Sequence, residues 1–130
     1  MTGAATVRLA PRNSLLLVGD PRTRNLPATL DGGLLAATEN CVAVGTLAEI
    51  SGPTTVTLAD RDAPGPGPGP PTTVFAGRLS LPSGTLAVQT VEGESVLSRE
   101  SPSGSEFVTI LVNDPSEPDH IVVLVGAPPA

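Results

Sequence analysis

Residues 73–100 read TVFAGRLSLPSGTLAVQTVEGESVLSRE. Phe75, Gly77, Leu79 and Leu81 occupy every second position, with Arg78 and Ser80 between them. A period of two places alternate side chains on opposite faces of an extended chain, so this stretch reads as a strand with one buried face. Pro82-Ser83-Gly84 then breaks the run and reads as a hairpin turn, after which Leu86 and Val88 carry the apolar face onto a return strand. Glu92-Gly93-Glu94 turns the chain a second time and the segment 101–105 a third. Three turns in about thirty residues leave no room for a helix.

The same pattern extends outward. Strands are expected near Thr6–Ala10, Ser14–Val18, Cys41–Thr46, Thr54–Ala59, Thr73–Leu81, Thr85–Val91, Ser95–Arg99, Phe107–Asn113 and His120–Val125. FVTILVND (107–114) and HIVVLVGA (120–127) are apolar at nearly every position, as strands covered on both faces must be. DGGLLAATENC (31–41) fits either one turn of helix or a further strand. Short strands at this spacing point to an all-β fold, an antiparallel sandwich of eight to nine strands.

Composition narrows the rest. The chain has 130 residues, one Cys and one His, so neither an internal disulfide nor a zinc site of the usual nitrogen and sulfur ligands is available to hold two small halves. One domain spanning 1–130 is therefore expected. Its core must be aliphatic, because there are two Phe and no Trp or Tyr. Gly and Pro supply 14 and 15 residues, a density that opposes long helices. Much of it lies in DRDAPGPGPGPP (60–71), where alternating Pro and Gly remove backbone donors and add flexibility. Residues 63–71 are expected to form a flexible surface loop within the domain, since lengthening a loop adds little closure entropy.

Charge excludes some partners and suggests another. The net charge is −6, and every basic residue is Arg, with no Lys at all. Such usage suits a GC-rich bacterial genome. An acidic chain nearly free of aromatics lacks both the phosphate contacts and the stacking surfaces that nucleic-acid binding needs. The N-terminal twenty residues have no basic start and no long apolar run, and no membrane span is visible, so a cytoplasmic protein is expected.

Candidate chemistry is sparse. His120 is the only histidine, and no partner set for it can be read from the sequence. Cys41 sits in an apolar run beside Glu39 and Asn40, the setting of a buried, inert thiol. No phosphate loop, dinucleotide fingerprint or other cofactor motif occurs. The carboxylates gather at strand ends. If those ends converge, Asp20, Asp60, Asp62 and Asp114 could supply oxygen ligands for Ca²⁺, and Asp60 with Asp114 could form an acidic dyad. Otherwise the acidic turns that carry Asp60 and Asp62, Glu92 and Glu94, and Asp114, Glu117 and Asp119 are the candidate contacts for a basic protein partner.

VFAGRLSLPSGTLAV (74–88), followed after a spacer by GSEFVTILVND (104–114), resembles the late strands of small bacterial β-sandwiches of the competence protein J-like family. These show a strand ending in Pro-Ser-Gly, a return strand, and a later Gly-led strand rich in Val and Ile. The prototype of that family inhibits a partner nuclease inside the cell, so the resemblance, which spans residues 73–114, implies a non-enzymatic binding role and carries over no functional residue. A non-enzymatic protein-binding or inhibitor module is the favoured reading. A Ca²⁺- or small-ligand-binding sandwich and a structural subunit that forms homo-oligomers through exposed aliphatic strands are the alternatives.

Overall fold

The computed structural model describes residues 4–10, 15–22, 35–46, 52–60, 72–114 and 118–126. The Pro-Gly tract, Asp62 and Glu117 lie outside them. The strands are β1 (Ala4–Leu9), β2 (Leu15–Gly19), β3 (Leu35–Ala37), β4 (Cys41–Gly45), β5 (Thr54–Asp60), β6 (Thr72–Ser80), β7 (Thr85–Thr90), β8 (Ser95–Glu100), β9 (Ser105–Val112) and β10 (His120–Val125). All nine strands read from the pattern are present, and the ambiguous segment adds β3, whose Ala36 and Ala37 pair with β4 rather than coil.

Two five-stranded sheets form, in the orders β1-β5-β10-β9-β6 and β3-β4-β2-β7-β8. Pairing is antiparallel except between β5 and β10, which run parallel with Val56 opposite Ile121 and Leu58 opposite Val123. The antiparallel sandwich expected from the sequence is thus present, with one parallel pair within it. The long connection between β5 and β10 permits it, because parallel neighbours cannot be joined by a tight turn.

The alternation seen in the sequence points inward from both sheets. Leu16, Val18, Val42, Val44, Leu86 and Val88 of the second sheet meet Val56, Leu58, Leu79, Val108, Ile110, Ile121 and Val123 of the first in one aliphatic cluster. Each such side chain contributes about 1.5–3 kcal/mol when fully buried, so aliphatics alone supply a core of this size. Phe75 is only partly buried against its rim. β9 and β10 are the inner strands that their continuous apolar runs suggested; even outward-facing Thr109 and Val122 are nearly inaccessible, at 5% and 6%. No helix among the described residues is long and apolar enough to cross a membrane.

The Pro82-Ser83-Gly84 turn is not a hairpin. β6 belongs to the first sheet and β7 to the second, so the chain crosses the sandwich there. Pro102-Ser103-Gly104 makes the return crossing from β8 to β9. The two crossings bond to each other reciprocally. Leu81 N–H donates to Gly104 O at 2.7 Å, and Ser101 N–H donates to Gly84 O at 2.8 Å. Each turn also closes on itself, through Gly84 N–H to Leu81 O at 2.9 Å and Gly104 N–H to Ser101 O at 3.0 Å. Both glycines adopt left-handed φ values, 78° and 79°, which an L side chain enters only at a cost. Alternation alone could not distinguish a hairpin from a crossing, because both keep the apolar side chains facing the same core.

Gly84→Ala and Gly104→Ala are each expected to lower stability by about 1–2 kcal/mol, the penalty for placing Cβ in the left-handed region. Urea denaturation should show the double variant departing from additivity, since both changes strain one bonded unit. Wild-type-like midpoints would refute the role given to the paired turns.

Candidate functional site

Asp20 is the most constrained carboxylate. β2 ends at Gly19, where a Cβ would stand 2.1 Å from Asn40 O and 2.8 Å from Cys41 Cα, so only glycine permits this approach of β2 to β4. Asp20 follows, with its N–H bonded to Asn40 O at 3.0 Å. Its Oδ1 accepts from Arg22 N–H and its Oδ2 from Ser83 N–H, each at 2.8 Å. Asn40 Nδ2 in turn donates to Ser80 O at 3.0 Å, while Ser80 N–H donates to Glu39 O at 2.8 Å. This corner ties the β3–β4 turn, the end of β2 and the first crossing together. Burial of Asp20 opposes its charge, but the N–H donors of Ser83 and Arg22 and the Arg22 charge outweigh it and hold the carboxyl below its ordinary value.

Asp60 ends β5 and is paired with Arg99, which reaches across from β8 in the other sheet. Arg99 occupies the same face of β8 as Leu97, so its side chain leaves the strand on the side of the opposite sheet. The pair is half-hidden, with side chains 30% and 14% exposed for Arg99 and Asp60. It joins the flank of the sandwich where β1 runs beside β8.

The remaining described candidates lie elsewhere. Glu92 and Glu94 are exposed in the β7–β8 hairpin, and Asp114 and Asp119 are exposed in the β9–β10 connection. Both turns stand at the ends of their sheets away from the paired crossings. Asn113 organises the second one: its Oδ1 accepts the N–H groups of Asp119 and His120, both at 3.1 Å, and its Nδ2 donates to Asp119 Oδ1 at 2.6 Å.

Among the described residues, the convergence on which a Ca²⁺ site or an Asp60–Asp114 dyad depends is therefore absent. Asp60 pairs with Val125, whereas Asp114 lies just beyond Val112, which pairs with Ile121. At ~3.3 Å per residue the two carboxylates stand roughly 20 Å apart along the strands. Asp20 spends both oxygens on backbone donors, and Asp60 is committed to Arg99. Among the described residues no cluster of three or more metal-ligating side chains forms.

His120 opens β10 at that far end with its N–H bonded to Asn113. Cys41 is buried beside Gly19, near the crossings, so sheet length separates the two. Burial pushes the Cys41 thiol up to about 11, against a weaker opposing bond from the Val18 backbone. The sequence reading missed the structural parts played by Asn40, Asn113 and Arg99. One signal was available: the Pro-Ser-Gly triplet recurs at 82–84 and 102–104, each time between strands.

Among known folds this is a two-sheet, all-β sandwich with sheet-crossing turns, and its likeness to solved structures runs the length of the chain. It is similar to the crystal structure of ComJ, an inhibitor of the DNA-degrading activity of NucA, from Bacillus subtilis. The TM-score is 0.68 at 10% identity over 98% of this chain and 99% of that one. It is also similar to the crocagin biosynthetic gene J product, with a TM-score of 0.63 at 15% identity and 99% coverage of both chains. No protein-family model and no curated protein matches the sequence. The resemblance read from residues 73–114 thus extends, as fold, over nearly the whole chain.

Two outcomes test this geometry. Asp20→Asn should destabilise the fold by about 1–3 kcal/mol at neutral pH, because an amide cannot accept from both N–H donors. The folded-state value for Asp20 is depressed, so its contribution is complete above 3.8 and disappears as pH falls through the lower folded value. Melting curves of wild type and variant should accordingly converge in acid; a constant gap would refute the assignment. Cys41 should resist a thiol reagent at neutral pH in the folded protein and react fully in denaturant, and rapid labelling of native protein would contradict its burial.

Proposed function

We propose that this chain is a non-enzymatic protein-binding or inhibitor module that acts in the cytoplasm on a basic protein partner. The carrying observation is the full-length likeness to a structure described as an inhibitor of another protein's nuclease activity. The second neighbour belongs to a biosynthetic gene set and names no catalytic step. One continuous aliphatic core, from β1 to β10, supports reading residues 1–130 as a single domain with 63–71 as a loop within it.

The contact surface comprises the acidic turns. Glu92, Glu94, Asp114 and Asp119 are exposed at sheet ends, where no ladder constrains their approach to a partner. Glu117 belongs to the second of these turns in sequence, and Asp62 follows Asp60. Asp60 plays the smaller part, because its carboxylate already holds Arg99. With a net charge of −6 the whole molecule adds long-range attraction for a basic surface. Such a field mainly accelerates encounter, while affinity comes from the contacts made afterwards.

A pull-down from lysate at low and then moderate salt, with the eluted proteins identified, is the direct test. A basic partner should be retained at low salt and released as screening rises. Glu92→Gln with Glu94→Gln, or Asp114→Asn, should slow its association, by about tenfold for the double variant. Salt-insensitive binding unaffected by these changes would refute the acidic-turn contact, and an empty pull-down from folded protein would remove the binding-module reading.

A further inference from the structure

The described strands present four sheet edges, and two of them, β3 and β8, carry protections against strand addition. β3 is only three residues long. β8 carries a bulge at Val96, between the pairs Leu97–Val88 and Ser95–Gln89, and turns Arg99 onto Asp60. β1 runs alongside β8. Short edges, bulges and inward charges are the usual protections against strand addition. β6 is different: at nine residues it is the longest of the described strands, and no described strand lies along its outer edge.

The hydrogen bonds show which part of that edge is open. Ser80 turns its N–H and C=O away from β9, where Glu39 O and Asn40 Nδ2 take them. By alternation, Arg78 and Ala76 turn their N–H and C=O the same way, while Leu79, Gly77 and Phe75 bond to β9. Among the described residues no group pairs with the outward N–H and C=O of Ala76 and Arg78, and both side chains are exposed. The open stretch is bounded by the Glu39–Asn40 cap at Ser80 and by the bulge between Thr73 and Phe75. It therefore runs from Phe75 to Leu79 and is centred on Gly77.

We infer that this edge pairs with the same edge of a second copy, joining two five-stranded sheets antiparallel about a two-fold axis through Gly77. A two-fold interface must be self-complementary, and this stretch is. Centred on Gly77, the pairing sets Ala76 opposite Arg78 of the second copy, so the only charge on β6 never faces its equal. Ala76 and Arg78 then exchange their outward N–H and C=O groups in two ladder pairs. Gly77 meets Gly77 at the close, non-bonded position, where side chains would crowd most. The half-buried Phe75 ring already lies over Gly77, 3.3 Å from where its Cβ would be. In the pair, the two rings cover the space the glycines leave, and each lies opposite a Leu79. No carboxylate occurs within β6, so the net negative charge is not concentrated at the contact.

Light scattering and sedimentation of the full chain, from low to high micromolar concentration at physiological salt, test this. The wild type should be a dimer whose dissociation is concentration-dependent. Ala76→Pro removes an outward N–H without touching the β9 ladder and should yield a monomer. Ala76→Lys sets like charges opposite Arg78 and should weaken the dimer about tenfold even if the proline variant fails to fold. Adding Arg78→Glu to Ala76→Lys should restore pairing through opposite charges. A wild type monomeric throughout, or a dimer that Ala76→Lys leaves unchanged, overturns the inference. Both readouts are independent of any basic partner, so they separate from the failure of the binding-module reading.

Discussion

The reciprocal bonding of the two Pro-Ser-Gly crossings is the constraint on which the rest of the sandwich depends. Through them β6 and β9 lie side by side in one sheet while β7 and β8 lie side by side in the other. Two chain segments that each leave one sheet and enter the next must pass at a corner where their backbones can no longer bond within a ladder. Leu81 with Gly104, and Ser101 with Gly84, satisfy those groups on each other. An unpaired backbone group at this buried corner would cost about as much as a lost hydrogen bond, and four are involved. The left-handed glycines are what make the mutual approach possible.

The side chains around this corner serve it. Asp20 fixes the first crossing through Ser83 N–H, and Asn40 fixes the strand that leads into it through Ser80 O. Ser101, fully buried, donates from Oγ to Glu106 Oε1 at 2.9 Å and ties the second crossing to the start of β9. The ionised state of Asp20 is thus structural, and its lowered pKa reflects the donors that hold a turn rather than a site prepared for ligand. The same commitment removes Asp20 from any metal cage. The flank carrying Asp60 and Arg99 lies on the side of β1 and β8, while the acidic hairpin and the β9–β10 connection present exposed carboxylates, as Glu39 and Glu100 also do.

A division of labour follows. One end of each sheet is devoted to the crossings and their supporting polar groups; the other carries Glu92, Glu94, Asp114 and Asp119 on turns. Sandwiches commonly place contact residues on such turns, because loops vary without disturbing the core that positions them. The outer edge of β6 is a separate surface, where the backbone N–H and C=O groups of Ala76 and Arg78 turn away from β9.

The sequence by itself determined the strands and the inward face of each. Period-two alternation at Phe75–Leu81, the dense runs of β9 and β10, and the scarcity of aromatics specified an aliphatic all-β core, because those signals are local and set by chain geometry. Cys41 as a buried thiol was legible for the same reason. Which strands became neighbours was not legible. The Pro82-Ser83-Gly84 turn reads identically as a hairpin and as a crossing, the parallel β5–β10 pair joins segments sixty residues apart, and the separation of Asp60 from Asp114 follows only from that pairing. The partnerships of Arg99 with Asp60, Asn40 with Ser80, and Asp20 with Ser83 likewise arise from long-range register. Local preference sets what a segment is, and only the packing of one sheet on the other decides what it meets.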